Sequence, residues 1–162
     1  MGLDMYLFKR TRVSMTEPKF DWKKILNDPD GEQIFYESTK NQQVWECQTI
    51  KQWRGEQTLH NYFCKYVNYE IGPAPLRITE TIATKLLEDI NFVLEDHTKV
   101  KTIFPTKCFP SNNYGCERDY YDEYLEDFIK TLSDLKPLVE KILEDMNNNG
   151  ELVTHYEYDC WY

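Results

Sequence analysis

Hydrophobic and polar residues alternate near both ends of this chain, and a strict two-residue alternation predicts a β-strand with one buried face. Over residues 1–8, Leu3, Met5 and Leu7 fall on one face, opposite a more polar set. Over residues 152–161 the alternation continues almost without interruption. A shorter alternation over residues 44–50 predicts a third strand.

Three longer stretches repeat their apolar residues every three or four positions, as expected of helices with one buried face. They cover about residues 52–66, 79–94 and 119–149. Thr79 is suited to cap the second helix, because its hydroxyl can accept a hydrogen bond from a backbone N–H of the first turn. Pro137 lacks a backbone N–H, so a kink or break is predicted in the third helix.

The segments between these elements are rich in turn-forming residues, so residues 9–43 and 96–118 are expected to be irregular. Strands and helices in this order indicate an α+β fold. We expect a small, mainly antiparallel sheet of the N-terminal, 44–50 and C-terminal strands, with about three helices packed on one face. The length predicts a single domain over residues 1–162. If the C-terminal strand is an exposed edge, that edge would allow a homodimer.

The charge of the chain limits its partners. Asp and Glu outnumber Lys and Arg by 28 to 19, which gives a net charge of -9. Direct binding of nucleic acid is not expected, because a phosphate backbone is bound by clustered Lys and Arg. The acidic surface either keeps the protein in solution or imitates a nucleic-acid backbone in the basic groove of another protein. The 12 Tyr, 8 Phe and 4 Trp suit binding surfaces as well as a core.

The cysteines and the hydropathy of the chain favour a cytoplasmic protein. The five cysteines show no paired spacing, and an odd number without a secretory segment predicts reduced thiols. Neither they nor the three histidines form a metal-binding motif, so no metal or other cofactor is predicted. No hydrophobic stretch approaches the length of a membrane span, and no membrane partner is expected.

His60 is the first candidate for chemistry, because the first predicted helix places it on one stripe with Trp53 and Gln57. In a functional interpretation it is a hydrogen-bonding group or a general base in an aromatic pocket. In a structural interpretation it is a histidine with satisfied hydrogen bonds at the edge of the core. Asp4 and Arg54 form a second candidate, an ion pair that is either structural or orients a ligand.

An acidic run opens the third predicted helix. Acids in a first helical turn complement the helix dipole, and this structural interpretation is the simpler one. The functional alternatives are a magnesium site or a face that imitates phosphates and contacts a host protein. The run consists of Glu117, Asp119, Asp122, Glu123, Glu126 and Asp127.

Three segments of the chain resemble a family of small, mostly uncharacterised phage and bacterial proteins. The family begins with the same Gly-Leu-Asp-Met strand and carries a Trp-Arg-Lys-x-Asn-x-Ile-His helix, which Trp53, Arg54 and His60 match. Gly55 and Gln57 stand where the family has Lys and Asn, so a ligand that depends on the Lys charge would be bound differently here. The third segment is Tyr121-Asp122-Glu123-Tyr124-Leu125, which matches the family's Tyr-Asp-Glu-x-Tyr-Leu with no inserted residue.

The resemblance implies a non-catalytic phage or mobile-element protein that neutralises a host factor in the host cytoplasm, as a counter-defence protein. One mechanism is sequestration of a small nucleotide-like signal in an aromatic pocket. The alternative is an acidic inhibitor that blocks a nucleic-acid-binding host defence protein through its surface. The residues expected to bind the ligand are Asp4, Trp53, Arg54, Gln57, His60, Tyr114 and Tyr121.

The burial of two side chains separates the first two hypotheses. A sequestering pocket requires Trp53 and His60 to be partly buried around a cavity, whereas an inhibitor predicts that both belong to the core. A further hypothesis is a small enzyme that uses His60 as a base with Asp4 or Glu123, although the chain has no familiar nucleophile or phosphate-loop motif.

Overall fold

The computed structural model of the protein describes residues 4–13, 34–38, 44–66, 75–105, 122–149 and 154–161. These residues form five strands, four α-helices and one 3-10 turn, His97–Lys99. The elements are β1 (Asp4–Val13), β2 (Ile34–Ser38), β3 (Val44–Arg54), α1 (Gln57–Cys64), β4 (Leu76–Ile78), α2 (Glu80–Glu95), α3 (Val100–Ile103), α4 (Asp122–Asn149) and β5 (Thr154–Trp161). They belong to two compact units. The sheet unit holds the strands and α4 from Asp145 onward, and the helical unit holds α1 to α3 and α4 up to Glu144.

The strands form one antiparallel sheet with the order β2-β3-β1-β5-β4. β1 lies at the centre and pairs with β3 on one side and β5 on the other. The α+β fold is therefore confirmed, with an antiparallel sheet built on the three strands that the alternation predicts. Two further strands, β2 and β4, complete the sheet at its edges.

The alternation also identifies the two faces of the sheet. Met5 and Leu7 of β1 are 0% and 2% exposed, and Tyr156 and Tyr158 of β5 are buried on the same face. We call this the apolar face. The opposite face, which we call the polar face, begins on β1 with Asp4 and continues with every second residue of that strand.

β5 lies between β1 and β4, and its central residues Tyr156 and Tyr158 pair with both neighbours. The interpretation of β5 as an exposed edge strand is therefore wrong. A homodimer was expected only if β5 were such an edge, and this condition is not met. On the other side of β5, Leu76–Ile78 adds three residues of strand to the sheet. So short a strand gives no periodic signal in the sequence.

The segment 9–43 is not irregular throughout. β1 continues to Val13, and β2 occupies Ile34–Ser38. Pairing with β3 up to Val13 satisfies backbone N–H and C=O groups. This pairing extends the strand through polar residues that carry no hydrophobic signal.

A polar network joins the end of α4 to the sheet within the sheet unit. Asp145 accepts a hydrogen bond from Lys9 at 2.8 Å and another from the hydroxyl of Tyr156. The Lys9 ammonium also lies 5.9 Å from the centre of the Tyr156 ring. Lys9 therefore has a charged partner on the face that also carries Met5 and Leu7.

The helix predicted over residues 52–66 begins later than expected. β3 continues through Trp53 to Arg54, and α1 begins at Gln57. Gly55 separates the two elements with a φ of 71°, a conformation that glycine adopts without strain. Trp53 pairs with Met5 across the sheet, and this pairing places it on the apolar face rather than on a helical stripe.

α2 confirms the prediction for its N-terminus. The Thr79 hydroxyl accepts a hydrogen bond from the backbone N–H of Ile82 at 3.3 Å, and Glu80 lies in the first turn. The buried stripe of this helix consists of Ala83, Leu86, Asp89, Ile90 and Val93.

Part of the predicted loop 96–118 is helical. The Asp96 carboxylate accepts hydrogen bonds from the backbone N–H of Thr98 at 3.1 Å and from its hydroxyl at 2.6 Å. This cap begins the 3-10 turn, which continues into α3, and Val100 and Phe104 are buried. The aromatic loop tip at residues 109–115 lies outside the described residues.

α4 passes through Pro137 as one helix, so the predicted break does not occur. Pro137 and Ser133 are both exposed, and water can therefore satisfy the carbonyl that the proline leaves without a donor. Leu135 and Val139 are buried on either side of the proline and continue the apolar stripe. Among the described residues, no helix has the length and hydropathy that a membrane span requires.

Candidate functional site

The predicted pair of Asp4 and Arg54 is present. The two residues face each other across β1 and β3, with Arg54 Nε 3.8 Å from Asp4 Oδ1. The Arg54 side chain is 82% exposed, and so open a pair contributes little to stability.

The other predicted ligand-binding residues belong to different parts of the chain: Trp53 to the sheet unit, Gln57 and His60 to the helical unit. Trp53 is 8% exposed on the apolar face of the sheet unit. Gln57 opens α1, and nothing further of its side chain is described. Tyr114 and Tyr121 lie outside the described residues.

His60 lies in the helical unit and is 2% exposed. Desolvation by burial lowers its pKa from 6.5 to about 4, so the imidazole is neutral at physiological pH. Cys64 Sγ lies 3.3 Å from His60 Nε2. A neutral ring supplies neither a positive charge for a phosphate nor the charge that stabilises a thiolate. A base must also reach its substrate, so this burial favours the structural interpretation of His60.

The acidic run is described only in part. Glu126 and Asp127 are exposed on α4, and Asp122 and Glu123 stand in its first turn. Nothing is described of the side chains of Asp122 and Glu123, and residues 117 and 119 lie outside the described ranges. Acids at this end of a helix complement its dipole.

Tyr124, which belongs to the family-like segment, ties α4 to the start of α1. Its hydroxyl donates to Glu56 Oε1 at 2.9 Å and lies 2.7 Å from the hydroxyl of Thr58. The Tyr124 ring stacks on Phe128 with ring centres 6.4 Å apart. These contacts give Tyr124 a structural role within the helical unit.

The helical unit also contains a buried carboxylate with two close partners. Asp89 accepts a hydrogen bond from the Tyr62 hydroxyl at 2.8 Å and another from Lys85 at 2.7 Å. Burial, together with hydrogen bonds to Tyr66 and Asp89, raises the pKa of Tyr62 well above its usual value. Lys65 lies 4.5 Å above the Tyr62 ring and donates to a carbonyl of α3. Both Asp89 oxygens have donors, so this network stabilises the packing of α1 on α2.

A cluster of charged and aromatic side chains lies on the polar face of the sheet, where the strand register brings it together. Arg10 of β1 stands opposite His155 of β5, and Glu157 is the next β5 residue on that face. Arg10 Nε lies 2.5 Å from Glu157 Oε2, and His155 Nε2 donates to Glu157 Oε1 at 2.9 Å. The three side chains are only 14%, 11% and 17% exposed, in the order Arg10, His155 and Glu157.

Trp45 packs against this cluster. Its ring meets the His155 ring edge-on, with ring centres 4.8 Å apart. Because β1 separates β3 from β5, this contact passes over the central strand. We call Arg10, Trp45, His155 and Glu157 the Arg10 cluster.

Two buried polar atoms, one in the Arg10 cluster and one beside it, lack a hydrogen-bond partner among the residues that the structure describes. They are Nδ1 of His155 and the hydroxyl oxygen of Thr49, which lies opposite Phe8 on the same face. Buried polar atoms are nearly always hydrogen-bonded in folded proteins, to water or a ligand where no protein group serves. Because Nε2 donates to Glu157, a neutral His155 ring presents Nδ1 as an acceptor.

The chain contains five arginines, and the four that the structure describes all lie on the polar face. Arg10 and Arg12 alternate on β1, Arg54 faces Asp4, and Arg77 of β4 faces Glu157. Residues directly opposite each other in antiparallel strands share a face, which establishes this grouping. Four residues with carboxyl groups have strand positions on the same face: Asp4, Glu157, Asp159 and, by its pairing with Trp45, Glu37.

Tyr6 and Phe8 add an aromatic pair to the polar face. Their rings are nearly parallel, with an angle of 5° and centres 5.6 Å apart. Phe8 is buried, Tyr6 is half-buried, and Gln52 donates to the Tyr6 hydroxyl at 3.4 Å. The face thus combines guanidinium groups with aromatic rings, as sites for phosphorylated planar ligands do.

Sequence reasoning did not identify the Arg10 cluster, although the alternation of β5 correctly groups His155 with Glu157. The signal that was missing is the pairing of β5 with β1. Within the described ranges, no group of three or more His, Cys, Asp or Glu side chains is arranged to hold a metal ion. Cys47, Cys64 and Cys160, the cysteines described there, form no disulfide.

Comparison with protein families, curated proteins and solved structures finds no match to the chain. The resemblance to phage and bacterial proteins therefore stays a prediction.

Proposed function

We propose that the protein is a non-catalytic binding protein that sequesters a small nucleotide-like ligand on the polar face of its sheet. The observation that carries this proposal is the Arg10 cluster with its two unpaired buried atoms, the Thr49 hydroxyl and His155 Nδ1. This proposal keeps the ligand class expected from the sequence and moves the site from His60 to the sheet.

Each part of such a ligand has a chemical counterpart on this face. Guanidinium groups bind phosphates through paired hydrogen bonds, and Arg12 and Arg77 are exposed on either side of the cluster. Aromatic rings stack on nucleobases. The His155 acceptor and the Thr49 hydroxyl suit the N–H groups and acceptors of a base edge.

The charge balance favours a small ligand. Glu157 compensates Arg10, so the cluster can stay buried without an anion. A phosphate bound by the exposed Arg12 and Arg77 would pair with their guanidinium groups and would not displace Glu157 from Arg10.

Sequestration also suits a counter-defence role. A protein that holds a nucleotide signal without consuming it lowers the free concentration of that signal in proportion to the protein present. This role is inferred from the resemblance to phage proteins. Evidence against that resemblance would therefore also be evidence against a counter-defence role.

Inhibition of a host protein through acidic α4 is the second candidate. The burial of Trp53 and His60 favours it over a pocket lined by those two residues. Exposed acids follow α4 from Glu126 and Asp127 to Glu144, over about 27 Å of helix. A basic groove on a partner would be complementary to this surface.

Native mass spectrometry of protein purified from cells with an active nucleotide-signalling defence distinguishes the two candidates. Sequestration predicts a phosphorylated small molecule that denaturation releases. Inhibition predicts a bound host protein and no such molecule. If neither is found, both candidates are wrong.

The variant that tests the site is Arg10→Gln combined with Glu157→Gln. Removing Arg10 alone would leave the buried Glu157 carboxylate without its guanidinium partner, at a cost of up to about 3–5 kcal/mol, whereas the double variant replaces the ion pair with two neutral amides. Arg54→Gln is the matched control, because it removes one arginine from the same face about 20 Å along the strands. We expect the double variant to lose the ligand and the control to keep it. The reverse result would restore Asp4 and Arg54 as the site.

A further inference from the structure

We propose that the ligand contains two nucleobases, as in a linear or cyclic dinucleotide, and that each base stacks on its own aromatic site on the polar face. This inference rests on the proposed function and specifies the ligand of the same site. It is carried by two aromatic groups that lie on opposite sides of the Arg10–Glu157 pair.

The first aromatic site is Tyr6 above Phe8. The near-parallel rings act as one unit, in which buried Phe8 supports half-buried Tyr6. The hydrogen bond from Gln52 to the Tyr6 hydroxyl restrains the ring further. A restrained ring loses little conformational entropy when a base stacks on it.

The second aromatic site is Trp45, which is half-buried and fixed edge-on against His155. His155 Nδ1 is the unpaired ring nitrogen next to it, and it accepts a hydrogen bond when the ring is neutral. A base stacked on the indole ring could therefore donate an N–H group to His155. The unpaired group next to the Tyr6 site is instead the Thr49 hydroxyl, opposite Phe8, so the two sites would differ in their preference for the base.

The distance between the two sites sets the minimum size of the ligand. Trp45 lies opposite Arg12 on β1, four residues beyond Phe8. Four residues of strand separate the two backbone positions by about 13 Å, and the Trp45 ring contacts His155, opposite Arg10, so a base on each aromatic site would lie on either side of Arg10. Arg10 lies midway, and the exposed Arg12 and Arg77 flank the path on which the linking phosphates would run.

The charge of the chain sets the maximum size. The whole chain carries a net charge of -9, and four of its five arginines lie on the polar face. The rest of the chain is therefore strongly acidic. A long single strand would extend beyond the arginines and place its phosphates against acidic surface. A compact ligand with few phosphates avoids this repulsion.

Isothermal titration of the full-length protein with adenosine monophosphate, linear di-adenylate, cyclic di-adenylate and a long oligoadenylate tests the inference. One stacked base changes affinity by roughly 5- to 150-fold. We therefore expect at least one di-adenylate to bind more tightly than the monophosphate by a factor in that range. The long oligoadenylate should bind no more tightly than the di-adenylate.

Two leucine variants assign the aromatic sites. Tyr6→Leu and Trp45→Leu should each reduce di-adenylate affinity to about that of the monophosphate. Tyr66→Leu removes an exposed aromatic side chain from the turn that follows α1 and is the matched control, expected to leave binding unchanged. Thermal unfolding of each variant shows whether its fold survives.

The outcomes separate this inference from the proposal on which it rests. If no nucleotide of any size binds, the proposed function fails and the inference with it. Equal affinity for the monophosphate and both di-adenylates would overturn the inference alone. Tighter binding of the long oligoadenylate, or full di-adenylate affinity in a folded Trp45→Leu variant, would also overturn it.

Discussion

The burial of His60 makes a quantitative prediction for the stability of the protein at acid pH. Its imidazole has a pKa of 6.5 in the unfolded chain and about 4 in the folded protein, because burial disfavours the charged ring. Between these values the unfolded state binds more protons than the folded state, so stability falls as the pH is lowered. The contribution is complete above pH 6.5. It is lost progressively down to about pH 4.

The size of the loss follows from the two pKa values. The difference between 6.5 and about 4, at about 1.4 kcal/mol per pH unit, amounts to about 3 kcal/mol. His60→Gln removes the titration while retaining a polar side chain near Cys64. Urea unfolding, followed by circular dichroism at a series of pH values, measures the free energy of unfolding of both proteins. We expect the wild type to lose about 3 kcal/mol more than the variant between neutral pH and pH 4.

Comparison with the variant cancels the carboxylates, which titrate in the same range in both proteins. His97→Gln, at an exposed position on the 3-10 turn, controls for the loss of one histidine. If the wild-type and His60→Gln curves stay parallel from neutral to acid pH, His60 is not desolvated as described. The structural role assigned to it would then be wrong.

Two further predictions concern helix packing, and urea unfolding measures both. Thr79→Ala should lower the free energy of unfolding by about 1 kcal/mol through loss of the α2 cap, whereas Thr84→Ala at an exposed position inside α2 should be neutral or slightly stabilising. Equal effects at the two positions would contradict the cap. Tyr62→Phe removes a donor to buried Asp89 and should cost about 1–3 kcal/mol. An unchanged stability would mean that Lys85 alone satisfies this carboxylate.

The sequence predicted elements whose signal is local. The two-residue alternation identified β1 and β5, and it grouped Met5 with Leu7 on what is the buried face of β1. Thr79 was recognisable as a cap, since the cap bond joins residues three positions apart. Strands β2 and β4 were missed because each is five residues or shorter and depends on a neighbour for its hydrogen bonds.

The boundary between β3 and α1 shows where local reasoning gave the wrong element. Trp53, His60 and Cys64 keep helical spacing, and that spacing extended the predicted helix back over Trp53. Pairing with β1 holds Trp53 in the sheet instead, through a contact between residues 48 positions apart in the chain. The one local signal against the helix was Gly55, whose positive φ allows the chain to leave the strand before α1 begins.

The Arg10 cluster depends on a feature that no periodicity reveals. Along β1 and β3, partners run regularly from Asp4 and Arg54 to Leu7 and Lys51, and then the register shifts by one, so that Phe8 faces Thr49. Without this bulge, the alternation that starts at Arg54 would place Trp45 and Thr49 on the apolar face. The shift brings both residues to the polar face beside Arg10, so one irregularity in the sheet decides whether the proposed ligand site exists.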